Sequence, residues 1–121
     1  MSLSDTFFTM TRDINGFNGF GLPFTVNARS GVLVATVAQS ITVPSSYPNW
    51  IAVFSYTPGT EVWVDNITTA VAPAGAFSAT TSELNPSARA VKAGSTLSFI
   101  TNDASSPVVS VLFYVASPYG N

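Results

Sequence analysis

The sequence predicts an all-β fold: a two-sheet antiparallel β-sandwich, jelly-roll-like, with an immunoglobulin-like arrangement as the alternative. Three observations predict it. Short runs rich in Val, Ile, Phe, Trp and Thr are separated by Pro, Gly, Asn and Ser. Turn signals recur about every eight to twelve residues, the spacing of sandwich strands. No stretch of about ten residues repeats its apolar side chains at the helical period. The run count, about eight, favours the jelly roll, but strand order is not written in the runs.

Taken in order, the first run covers roughly Asp5–Thr11, with Phe7, Phe8 and Met10. The stretch Asn15-Gly16-Phe17-Asn18-Gly19-Phe20-Gly21-Leu22-Pro23-Phe24 joins large rings to residues that tolerate positive φ. Residues 1–24 therefore read as an irregular, extended N-terminal arm of one domain spanning 1–121. The arm either docks on a neighbour or folds over its own core. Gly31–Ala38 reads as a strand through Val32, Leu33, Val34 and Val37, followed by Ile41-Thr42-Val43, which Pro44 stops. Trp50–Tyr56 is a strand, and Thr57-Pro58-Gly59-Thr60 places proline and glycine as a type II turn requires. Glu61–Asp65 alternates, with Val62 and Val64 on one face and Glu61, Trp63 and Asp65 on the other. Beyond it, Phe77–Thr81 reads as a short strand, and Ser87–Lys92 as a strand or a helical turn. Ser95–Asn102 and Val108–Ala116 complete the set. The strands at 50–56 and 108–116 are apolar on both faces, whereas an antiparallel sandwich strand ordinarily has one wet face.

The chain has 121 residues, enough to bury a core without metal or disulfide staples. Charged residues are only 8% and hydrophobic ones 46%, against about a quarter charged in an average soluble domain. So few charges leave surface that partners or copies of the chain would cover. The cations Arg12, Arg29, Arg89 and Lys92 are scattered, so no phosphate-binding patch, and no nucleic-acid partner, is expected. No apolar run is long enough to span a membrane. The start, Met1-Ser2-Leu3-Ser4-Asp5, lacks a basic segment followed by an apolar one, so use without Sec export is expected.

Without Cys or His, nucleophilic triads are excluded, as are histidine and thiolate metal sites. Lys92, the only lysine, reads as a solvated loop charge. Glu61 and Asp65 share a strand face, but at ~3.3 Å per residue their Cα atoms lie roughly 13 Å apart. Paired-carboxylate hydrolysis needs about 5–9.5 Å between carboxyls. The two are expected to be surface charges flanking Trp63. Asp65-Asn66 and Asn102-Asp103 are conceivable calcium ligands and equally ordinary turn formers. The glycines of 16–21 lack the helix and Lys-Ser/Thr of a phosphate loop. The expectation is no enzyme, no cofactor and no metal.

Binding chemistry is left. Trp50, Trp63, Tyr47, Tyr56, Tyr114 and Tyr119 are aromatic rings on which a sugar could stack, with Trp63 the leading candidate. Aromatics are equally at home in protein interfaces. The partner-contact candidates are Phe7, Phe8, Phe17, Phe20 and Phe24 of the arm, together with Trp63 and with Tyr114 on a doubly apolar strand.

The texture of Trp50-Ile51-Ala52-Val53-Phe54-Ser55-Tyr56-Thr57-Pro58-Gly59-Thr60 and of Val91-Lys92-Ala93-Gly94-Ser95-Thr96-Leu97-Ser98-Phe99-Ile100, in a Cys-free, Lys-poor chain, resembles small all-β virion proteins of tailed bacteriophages. The nearest kinds are head decoration (cement) proteins and tail-associated proteins. The likeness spans roughly residues 30–116 and includes no diagnostic motif, so it assigns no residue a role. It implies a structural protein made in the host cytoplasm and carried on the capsid surface. Such a protein would bind the major capsid protein or another virion protein, most simply as a trimer, and stabilise the shell. The rival reading is a carbohydrate- or receptor-binding module of a phage tail or a secreted protein.

Overall fold

The structure, a computed structural model, describes residues 9–12, 18–21 and 23–116, with side chains from residue 23 onward. Two short strands, β1 (Thr9–Arg12) and β2 (Asn18–Gly21), pair antiparallel in a small sheet of their own, Met10 opposite Phe20. The arm is therefore not irregular throughout.

Eight further strands follow: β3 (Ala28–Val32), β4 (Gln39–Thr42), β5 (Asn49–Tyr56), β6 (Val62–Asp65), β7 (Glu83–Leu84), β8 (Ala88–Lys92), β9 (Thr96–Thr101) and β10 (Val108–Val115). They form two four-stranded antiparallel sheets, ordered β3-β10-β5-β8 and β4-β9-β6-β7. The ladders are nested: β6 pairs with β7, β5 with β8, β4 with β9 and β3 with β10. One long hairpin, folded at β6–β7, has wrapped until β10 also meets β5 and β9 meets β6. That is the jelly-roll order, so the immunoglobulin-like alternative falls away. Among the described residues there is no helix.

Period-2 alternation decides what goes inside. Trp50, Ala52 and Phe54 of β5 and Val109, Val111, Phe113 and Val115 of β10 face Val62, Val64, Leu97 and Phe99 of the other sheet. Phe54 meets Phe99 edge-on across the layers, their centroids 6.2 Å apart. Trp50 packs edge-on against Phe113 at 6.3 Å and donates its indole N–H to the Tyr47 carbonyl at 3.0 Å, so its one polar atom is satisfied in the core.

The expected strand at 31–38 is instead an end and a crossing. β3 begins earlier, at Ala28, and stops at Val32. Leu33 enters the core, Val34 and Val37 stay exposed, and Thr36 turns the chain at φ 64°. A strand over these residues would alternate; the chain here crosses from one sheet to the other. Phe77–Thr81 is loop, and Ser87–Lys92 resolves to strand β8. The type II turn is present: Gly59 sits at φ 79° and Thr60 donates its N–H to the Thr57 carbonyl at 3.3 Å.

Candidate binding surfaces

The outward face of the first sheet follows from the registers. One row across it reads Ser30, Ser110, Ser55; the next reads Ala28, Leu112, Val53, Ala88. Val32 and Val108 lie beyond the serines, and both are exposed. Lys92, at a corner, is the only charge that the alternation places on this face. The Ser30 and Ser110 hydroxyls are 2.8 Å apart and bond each other, which lowers the cost of removing them from water. This is the outer side of the doubly apolar strands. Tyr114 alone is fully covered there, 3% exposed, with its hydroxyl donating to the Pro23 carbonyl at 2.7 Å. Its expected role as a partner contact is therefore corrected: the ring is already used inside the chain.

A second surface lies over the other sheet. Residues 66–82, between β6 and β7, form a long loop without one charged side chain. The loop and Trp63 of β6 enclose an open groove of about 880 Å³. Its walls are Val71, Ala and Pro side chains and Thr and Ser hydroxyls, with no carboxylate, amide or guanidinium. Phe77 stands on the rim with its ring wholly exposed.

Asp65 holds this loop at both ends. Its carboxylate accepts the N–H groups of Ile67 (2.8 Å) and Thr68 (2.9 Å) and the hydroxyls of Thr68 (3.3 Å), Thr81 (2.7 Å) and Ser82 (2.8 Å). The side chain is 2% exposed. Hence the expectation of a wet surface charge beside Trp63 was mistaken: the alternation put Asp65 on the outer face correctly, but the loop folds over it. Burial alone would raise its pKa. The hydrogen bonds from Thr68, Thr81, Ile67 and Ser82 outweigh that and bring it from 3.8 down to about 2. A carboxylate with a depressed native pKa stabilises the fold above its unfolded pKa, and that contribution disappears as pH falls from 3.8 to about 2. Melting curves between pH 5 and 2 are expected to show a loss of about 2 kcal/mol from this group, and the loss should be absent in Asp65→Asn.

With all these donors on Asp65, the Glu61–Asp65 pair has no free carboxylate dyad. The two conceivable calcium pairs lie at opposite ends of β6. Asp103 accepts the Glu61 N–H at 2.8 Å, and Asn66 donates to the Thr96 carbonyl at 2.8 Å. Among the described residues no three Asp or Glu side chains converge.

The other aromatic candidates belong to the fold. Tyr47 meets Trp50 edge-on at 5.9 Å, and Tyr56 stacks on Phe54 and donates its hydroxyl to the Pro86 carbonyl at 2.7 Å. Burial pushes the Tyr56 hydroxyl pKa above its ordinary value. Trp63 is half-buried and faces the groove; Phe24 is 97% exposed. Phe20 lies in β2, while Phe7, Phe8, Phe17 and Tyr119 fall outside the described residues. Sequence reading missed Phe77 and the loop as a surface. The available signal was the absence of charge from Asn66 to Ser82.

No family model matches the chain, and no curated protein or solved structure matches it either.

Proposed function

We propose that the chain is a virion structural protein, a decoration protein that binds an assembled shell and stabilises it without catalysis. One observation carries the reading: a central sheet face of Ala28, Leu112, Val53 and Ala88, bordered by mutually bonded serines, in a domain with few charges. Such a face loses little on desolvation and gains from contact with another apolar surface. Binding the assembled shell and not its free subunit shifts the equilibrium toward the shell, and many copies multiply a modest contact energy. The sugar-binding reading draws on Trp63. It is the weaker one, because the groove beside Trp63 lacks the planar polar side chains that fix a sugar's hydroxyls.

The test adds purified chain to shells lacking it and follows co-sedimentation and the temperature of shell disruption. The expected result is saturable attachment and a raised disruption temperature. Leu112→Arg, which puts an unpaired charge in the middle of the face, is expected to weaken attachment at least tenfold, about 1.4 kcal/mol or more, with its own melting little changed. Attachment by Leu112→Arg equal to that of the wild type would remove the face from the account.

A further inference from the structure

The inward row of a sandwich strand is ordinarily apolar. On β3 that row holds Arg29, opposite Val111, and Gly31, opposite Val109. Val109 and Val111 belong to the core, so the sandwich is short of apolar side chains along this edge. β3 and β4 are edge strands of the two sheets, and between them opens a cleft of about 170 Å³. Its base is made of core side chains, Leu33, Phe99, Val109 and Val111, with Ile41 of β4 beside them. Gln39 of β4 donates its side-chain amide to the Val32 carbonyl of β3 at 3.1 Å and ties the two edges together at one end. Gly31 accounts for the space: a Cβ there would meet no atom within 4 Å. The backbone does not call for this glycine, because positive φ among the described glycines is confined to Gly59 and Gly94.

Arg29 also lines the cleft. Its guanidinium donates to the adjacent Ala28 carbonyl at 3.0 Å, and the ion pair among the described residues is Arg89–Glu83, not one of Arg29. An apolar cleft is thus joined to a cation that no carboxylate neutralises. Apolar walls favour a hydrocarbon, and the guanidinium fork favours a carboxylate. A water takes about 30 Å³ and a methylene is of similar size, so the space suits a chain of about five or six carbons.

We propose that this cleft is a binding site for an aliphatic carboxylate, its hydrocarbon lying over Gly31 against Val109 and Phe99 and its carboxylate paired with Arg29. The site lies between the sheets and does not involve the outward row of Ala28 and Leu112. The inference is therefore independent of attachment to a shell, and the two can fail separately.

Hexanoate titrated into the full chain at neutral pH, followed by proton–nitrogen correlation spectra, is the test. Saturable shifts are expected at the amides of Gly31, Val109 and Val111, with a dissociation constant on the order of 1 mM. Hexanol, the same chain without the charge, is expected to bind about tenfold more weakly, and Arg29→Gln should weaken hexanoate by about as much. Gly31→Val fills the gap and should weaken hexanoate at least tenfold, about 1.4 kcal/mol or more. It should melt no lower than the wild type, since valine suits a strand and its Cβ meets no neighbour. Arg29 is exposed, so Arg29→Gln should melt with the wild type and decides the matter if Gly31→Val does not fold. No saturation at about 10 mM hexanoate, hexanol or Arg29→Gln binding as tight as the wild type with hexanoate, or undiminished binding by a folded Gly31→Val would each overturn the proposal.

Discussion

Replacing Phe113 with alanine is expected to lower the unfolding free energy by about 3–5 kcal/mol, the range for a large ring lost from a packed core. Phe113 is wholly buried, on a strand with neighbours on both sides, and lies edge-on to Trp50. The cavity has little means of closing. The Phe113 N–H donates to the Asn27 carbonyl at 2.9 Å, and the Phe113 carbonyl accepts the Thr25 hydroxyl at 2.7 Å, so the backbone is held from the β3 side. The ladder to Ala52 holds it from the other. Urea unfolding should show a lower midpoint with an unchanged slope, and the melting temperature should fall by on the order of 10–20 °C. A loss below about 1 kcal/mol would mean that the two layers are not packed through Phe113.

Asp65→Ala is the second large effect. It removes the acceptor of one buried donor, the Ser82 hydroxyl, and of part-buried donors on Ile67, Thr68 and Thr81; a donor left unsatisfied out of water costs about 1–3 kcal/mol. The loop can relax toward water, so the total expected is roughly 3–4 kcal/mol, less than the sum. The damage should be local in one respect: limited proteolysis should begin within residues 71–80, because the variant frees both ends of the loop at once. Thr81→Ala and Ser82→Ala each remove one hydroxyl and should cost about 1 kcal/mol. Equal protease resistance in Asp65→Ala and the wild type would contradict the staple.

Much of the sandwich was legible because alternation is a local property. β5, β6, β9 and β10 lie within a residue or so of where the sequence places them, and in β6 the face of Val62 and Val64 is the inward one, as its alternation implies; for β5 and β10, apolar on both sides, alternation alone does not choose the inward face. The failures are non-local. Valines at 32, 34 and 37 look like one strand, yet the chain turns at Thr36, whose N–H finds the Thr101 carbonyl at 2.7 Å. No local signal announces that partner. Nor does Asp65 announce donors at Thr81 and Ser82, beyond a loop that has to fold back first. Tyr114 reads as an exposed aromatic because its acceptor, the Pro23 carbonyl, is 91 residues away. Nested pairing of strands is likewise invisible to periodicity, which reports faces and not neighbours.

On the proposed reading, the chain attaches to its shell through a surface almost without charge. Contacts between charged groups weaken as salt screens them, whereas apolar contacts do not. The most direct measurement is therefore co-sedimentation of the chain with intact shells at increasing sodium chloride, from about one Debye length of 30 Å to one of 3 Å. The expected result is attachment that is undiminished across the range. Chain left in the supernatant at low salt, or released in step with rising salt, would contradict the account.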